Sequence, residues 1–545
     1  MKKTAAMLSV LFAAAIFLAA CGGTELKQPG SSRSPDTLRL VGDDPNTLDP
    51  ALVTDAGSAF FVEEIFGGLL GLAPKNKAPQ DALCYQDVCL IADIAEKIPE
   101  PALNSDGTAS YVFKIRPNVY FHSGRQARAE DVKYSLERAA DPRTGSSTAE
   151  LYLSDIVGVM DKYRGRANEV KGVKVISEFS LEITTDALKP HFLWKLSYPT
   201  AFVVDKNQVT SNPRGWQETP NGTGPFRLTE FERGYKIVLE ANERYHLGVA
   251  AIKRLHFNLA AGSVLTMYEN NEVDVSGIGL ADIERVRDPR GSLNREFIES
   301  SSMDTFYIGF NVKQAPFDDV KLRQALALAI DKETLVRVVL KDVATAAYTV
   351  LPPGMPGYRE DYKPIIYNLA RAKQLLSESG YWPNVPRITL WVPGSGATAG
   401  GAIEAIVAMW KDGLGLDVEI KQVEFGSFMQ DLKRQRYGAF TMGWIADYPD
   451  PEDFLDLKFY SAKSPANNES RYANYAVDSL LDQARIEQDA AKRVTLYQKA
   501  EDIILAEVPW IPLYHSKHIY VVKPYVRNFM VSSMVVPFLR FVELR

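Results

Sequence analysis

Beyond residue 36, short β-branched or aromatic runs take turns with amphipathic segments, and that alternation permits few folds. Strand-like runs occur at 37–41, 111–116, 181–184, 236–239, 388–392 and 418–422. Helical spacing of apolar residues appears at 129–138, 320–330 and 402–410. Interleaved period-2 and period-3.6 patterns predict an α/β chain, not a sandwich or a bundle. Asp318 or Asp319 can cap the helix at 320–330. Residues 478–507 read as one or two helices, with Asp478 as a candidate cap. A chain of 545 residues is long enough for several cores and three or four domains.

The amino terminus is a different kind of sequence. Met1-Lys2-Lys3 precedes an apolar run at 4–20, shorter than the ~20 residues a membrane-spanning helix needs. A basic flank, an apolar core and a small-residue end predict an export signal over 1–20. Its end, Leu18-Ala19-Ala20-Cys21, resembles a bacterial lipobox, in which the cysteine becomes the lipidated first residue. The alternative is an ordinary cleavable signal beside a cysteine. Acyl chains anchor by burying methylenes at ~0.8 kcal/mol each. Residues 21–35 are polar, with Gly, Ser and Pro, and predict a tether. The remaining cysteines, Cys84 and Cys89, predict a disulfide in an extracytoplasmic protein. A zinc site would need two more ligands, and the nearest histidine is His122.

The chemistry of several function classes is missing. A net charge of -6 argues against a phosphate-binding surface, and no nucleic acid is expected as a partner. The six histidines include no His-Glu-x-x-His, so no metal is expected. No Gly-x-Ser-x-Gly elbow and no Walker-type loop occurs. The glycine-rich stretch 394–401 lacks both the dinucleotide spacing and a lysine, and reads as a flexible connection. A hydrolase built on two carboxylates stays open as a different-class alternative. Nothing in these patterns nominates an enzyme or a cofactor.

Five segments, in order along the chain, carry a resemblance. They are Asn46-Thr47-Leu48-Asp49-Pro50; 111–124 with Ala129-Glu130-Asp131-Val132 and Ser135-Leu136-Glu137-Arg138; Gly222-Thr223-Gly224-Pro225-Phe226; Phe310-Asn311 leading to 316–325; and 443–451, which contains Trp444-Ile445-Ala446-Asp447-Tyr448-Pro449. Together they resemble the extracellular solute-binding proteins, family 5, the oligopeptide/dipeptide-binding class of bacterial ABC importers. The resemblance implies a periplasmic-binding-protein-like α/β fold of the cluster C type, with two lobes around a hinged ligand cleft. The first lobe would have a core subdomain (36–73, 221–303 and 514–545) and an extra subdomain (74–220). The second lobe would be 304–513, with crossover strands at 305–310 and 510–514. The implied function is a lipid-anchored extracytoplasmic receptor, a monomer, that captures an oligopeptide or other small solute. It would deliver that solute to ABC permease subunits and their ATPases, touching the membrane through its lipid anchor only.

A carrier of many peptides must bind what they share: the backbone, which strand addition can hold, and an ammonium end, which a closing cleft must pair. In relatives the Asp of Trp-x-x-Asp contacts the ligand's amino terminus, so Asp447 is the candidate partner; serving only the turn at 448–451 is its alternative. Trp444 would wall a side-chain pocket or fill the core. Gly443 would admit ligand backbone or mark a bulge. Tyr448 is a further candidate, as are Thr54, Asp55 and Ala56 on the opposite wall and Tyr514 near the second crossover; packing is the alternative for each. Relatives that hold a ligand carboxylate place an Arg before Trp-x-x-Asp or in the loop at 394–401. Neither is present, which implies longer peptides with an unread carboxyl end or a different ligand. An oligosaccharide stacked on Trp391, Trp444 and Tyr448 is the alternative within the same fold.

Overall fold

The structure, a computed structural model, describes residues 34–260, 262–394, 399–534 and 536–545. The export signal, Cys21 and nearly all of the tether lie outside the described residues, as does 395–398 of the glycine-rich stretch. Asp36–Arg545 forms a unit of its own, distinct from Met1–Pro35. No helix among the described residues is long and apolar enough to cross a membrane.

Strands and helices alternate as the two periodicities require. A four-stranded sheet begins with Thr37–Val41, parallel to Arg254–Asn258, and continues antiparallel through Lys236–Ala241 to Phe226–Glu232. A second four-stranded sheet holds Ala109–Lys114 and Ser180–Thr185, and its core gathers residues between Ala51 and Val203. The largest sheet has eight strands. At its centre Ala439–Ile445 runs antiparallel to Asp304–Phe310. On its other side it meets Ile388–Pro393 only through Ala439 and Phe440.

Trp510–Val522 links strands from distant parts of the chain. Its first half pairs with Asp304–Phe310, and its second half pairs with Phe297–Ser301 and Val275–Gly277. A single extended strand therefore contributes to the core beneath the large sheet and, through Val522, to the core of the first four-stranded sheet.

Helix boundaries follow their caps. Asp319, not Asp318, caps Val320–Leu328, its carboxylate accepting from the amides of Lys321 and Leu322. The stretch at 478–507 is two helices, Tyr475–Ile486 and Ala490–Glu507. Asp478 is not a cap. Asn474 and Asp489 fill those places, and Asp478 accepts from the Ser461 amide at 2.9 Å. Sequence spacing could not separate these acids, because a cap is defined by where the backbone leaves helical dihedrals.

Three of the five recognisable segments meet at seams. Asp49 accepts from the Arg138 guanidinium at 2.8 Å, tying the first segment to the second. The Gly222 carbonyl accepts from the His122 amide at 2.9 Å. Gly222 and Gly224 lie against the end of helix Ala56–Ile65, where a Cβ would stand 2.0 and 2.5 Å from Ile65 backbone atoms. No other residue fits such an approach. In the fourth segment, Asp319 is spent on its helix. Cys84 and Cys89 face each other across the Leu83–Tyr85 and Val88–Ala92 hairpin and are bonded.

Candidate functional site

Helix Ala56–Ile65 and strand Ala439–Ile445 face each other across a cavity of about 290 Å³. Ala56, Ala59 and Glu63 recur at spacings of three and four, which puts them on one helix face, and all three line the cavity. Gly443, Trp444 and Asp447 line the opposite side. Beyond Phe440, strand Ala439–Ile445 has no further strand partner on its outer edge among the described residues. Backbone groups of an extended ligand can pair with such an edge.

Asp447 follows the end of this strand. Its amide donates to Asp453 Oδ2 at 3.0 Å, and its own carboxylate accepts from the Tyr152 hydroxyl. The Tyr152 ring stacks on Tyr198 with centroids 3.8 Å apart, and Tyr198 also lines the cavity. Asp447 lines the cavity and is only partly exposed, and loss of hydration favours its neutral form. That burial pushes its pKa up to about 7, against the opposing effects of the Tyr152 hydrogen bond and the Lys458 charge. Burial, with the nearby charges of Glu64 and Asp447, raises Glu63 well above the carboxylate range.

The charges around the cavity sort into satisfied and unsatisfied. Lys458 donates to Glu469 at 2.7 Å and sits 4.2 Å from the Trp444 ring centroid. Asp55 caps the helix, accepting from the Ser58 amide at 2.8 Å and the Ser58 hydroxyl at 2.9 Å. Glu63 Oε2 has no hydrogen-bond partner among the described residues, and neither Glu63 nor Asp447 has an ion-pair partner there. What remains is a cavity lined by two acidic groups, Glu63 and Asp447, neither in an ion pair among the described residues, while its lysine, Lys458, is engaged by Glu469. Such a chamber favours a ligand that brings a positive charge.

The structure brings Asp447, Trp444, Gly443, Thr54, Asp55 and Ala56 to one cavity. Two expected residues are elsewhere. Tyr448 is wholly buried behind the wall, donating to Glu452, because the turn after Asp447 directs it into the core. Tyr514 backs the site, its ring stacked on Phe306 at 4.8 Å; Phe306 is the residue that reaches the cavity. Trp391 stacks on Tyr437 at 4.6 Å, away from the cavity. Sequence reading missed Glu63, Tyr152, Tyr198 and Phe306. Tyr152 is 295 positions from Asp447, and no local pattern marks such a pairing.

A larger cavity of about 600 Å³ adjoins the first, sharing Ala56, Phe306, Gly443, Trp444 and Ile445 with it. Its size lies within the ~300–1,000 Å³ common for ligand sites.

Residues 90–466 match the profile of the bacterial extracellular solute-binding proteins, family 5 (middle). The chain is similar to the probable deoxycholate-binding periplasmic protein of Escherichia coli, 29% identical over 504 residues and 89% of each chain. It is also similar to the oligopeptide-binding protein of Bacillus subtilis, 26% identical over 94% of each chain. Among solved structures it resembles the murein tripeptide binding protein of Escherichia coli, with a TM-score of 0.81 and 23% identity over 93% of this chain and 98% of that one. The fold is thus the periplasmic-binding-protein-like α/β fold, with two lobes around a ligand cleft.

Proposed function

Because the chain belongs to the bacterial extracellular solute-binding proteins of family 5, we propose that it captures oligopeptides between its lobes and hands them to an ABC permease. One observation carries this reading: Glu63 and Asp447 line one cavity and neither has an ion-pair partner among the described residues, the cavity's Lys458 being engaged by Glu469. The amino terminus of a peptide is the cation that every member of the ligand class has in common. Asp447 takes that ammonium, with Glu63 on the facing wall. The free edge of strand Ala439–Ile445 takes the ligand backbone, and the absence of a side chain at Gly443 lets that backbone come close. Cavity space and water accommodate the ligand's side chains.

The protein binds and releases its ligand unchanged. Cys21 carries the lipid that holds it outside the cytoplasm, and lobe closure forms the surface that the permease reads. The lobes divide as 36–73 with 221–303 and 514–545, an extra subdomain at 74–220, and 304–513. The names of its relatives span deoxycholate and oligopeptides. An anionic head such as a steroid carboxylate has no cation waiting beside Glu63 and Asp447, which favours the peptide. The oligosaccharide reading loses Trp391 and Tyr448 as stacking platforms.

The test is retention. The purified protein is incubated with a pool of short peptides, half with free and half with acetylated amino termini, and retained species are identified by mass spectrometry after denaturation. The reading expects free-ended peptides, recovered intact. Equal retention of acetylated peptides, or recovery of cleaved ones, would overturn it.

A further inference from the structure

The larger cavity differs in chemistry from the acidic one it adjoins. Phe60 and Phe61 from helix Ala56–Ile65, Tyr520 from strand Trp510–Val522, and Phe529, Met530 and Met534 from the carboxyl-terminal segment form much of its wall. No Lys or Arg is among the described residues that line it. Its enclosed carboxylate, Asp304, is occupied within the protein, accepting from the Ser516 amide at 2.7 Å. His518 is kept neutral by burial, which lowers its pKa. At about 600 Å³ the space is about twice that of the acidic chamber. Phe306, Gly443 and Trp444 belong to both walls, so one extended ligand can occupy both chambers at once.

The geometry points to a substrate class: peptides whose free amino end is followed directly by bulky apolar, aromatic-rich residues that fill the larger chamber. This inference rests on the peptide reading and narrows it. A polar or hydrated side chain gains little there, because few of the wall's atoms can hydrogen-bond and an aromatic wall rewards apolar area. An acidic side chain is opposed, since the described wall carries the acidic groups of Asp43 and Asp304 and offers no Lys or Arg to pair with it.

Calorimetric titration of the full chain with three peptides, Ala-Phe-Phe-Ala, Ala-Ser-Ser-Ala and Ala-Glu-Glu-Ala, tests it. The phenylalanine peptide should bind at least ~100-fold tighter than the serine peptide, the burial of two aromatic side chains being the difference. It should also bind with the more negative heat-capacity change, and the glutamate peptide should bind most weakly. Gly277 lines the chamber, and a Cβ there meets nothing nearer than the Tyr520 ring at 3.8 Å. Gly277→Leu should therefore fold normally, reduce affinity for the phenylalanine peptide at least tenfold and leave the serine peptide unchanged. Equal affinity for all three peptides, or a preference untouched by Gly277→Leu, would overturn the inference and leave peptide binding standing. Failure of all three to bind would remove the peptide reading itself, and this inference with it.

Discussion

Tyr152 donates a hydrogen bond from its phenolic hydroxyl to the carboxylate of Asp447, joining the short helix Ala149–Tyr152 to the turn just beyond strand Ala439–Ile445. One oxygen of the carboxylate is held in place, and the carboxylate stays on the cavity wall. This part of the cavity wall is therefore assembled from segments 295 positions apart.

Replacing Asp447 with Ala should weaken a free-ended peptide by about 2–5 kcal/mol, the cost of leaving a buried ammonium unpaired. Acetylating the peptide should cost wild type a similar amount and the variant little more. A double-mutant cycle by titration calorimetry isolates that coupling. Additive losses would show that Asp447 and the amino end do not meet.

Affinity should depend on pH in one direction. With its pKa at about 7 when no ligand is bound, Asp447 is largely protonated below neutrality. An ammonium pairs with the ionised form, so binding lowers that pKa and releases a proton near pH 7. Affinity should therefore fall as pH drops below 7 and level off above it. Binding enthalpies in buffers of different ionisation heat should report the released proton, and a flat profile between pH 5.5 and 8 would contradict the assignment.

Tyr152→Phe keeps the ring stacked on Tyr198 and removes the donor. Because that hydrogen bond favours the ionised carboxylate, its loss should move the midpoint of the pH profile upward and weaken binding at pH 7 by roughly tenfold, the lower end of the about 1.5–3 kcal/mol that a hydrogen bond to a charged group is worth. Above pH 9 the variant and wild type should converge. A uniform loss at every pH would mean that Tyr152 acts by packing alone.

Lys195 should matter to stability. It is 1% exposed and donates to Asp155 at 3.0 Å and to Glu452 at 2.8 Å, bridging helix Phe192–Lys195 to helix Glu452–Phe459. Lys195→Met leaves the buried Glu452 without this cation, while Asp155 keeps Lys189 at 2.6 Å, and should destabilise the chain by about 3–5 kcal/mol. Urea unfolding measures this directly, and a loss below about 1 kcal/mol would show that the bridge is dispensable.

Much of the architecture could be read locally. Strands at 37–41 and 388–392 and the helix at 129–138 announce themselves through side-chain period, because each buries one face. The choice between Asp318 and Asp319, and the true caps Asn474 and Asp489, could not be read that way. Several acids stood within one turn, and only backbone direction selects among them. In the site, the Trp-x-x-Asp segment placed Trp444 and Asp447 on the cavity wall, yet Tyr448, one residue on, is turned into the core.

The order of the chain by itself determined the alternation of strands and helices, the five recognisable segments and the place of Asp447 after a strand, since these depend on neighbours within a few positions. Only the tertiary structure decided that Glu63 and Tyr152 join Asp447, that Tyr514 stands behind Phe306, and that an apolar chamber opens beside the acidic one. Burial and unpaired charge are properties of what surrounds a group. Here those surroundings come from segments hundreds of residues apart.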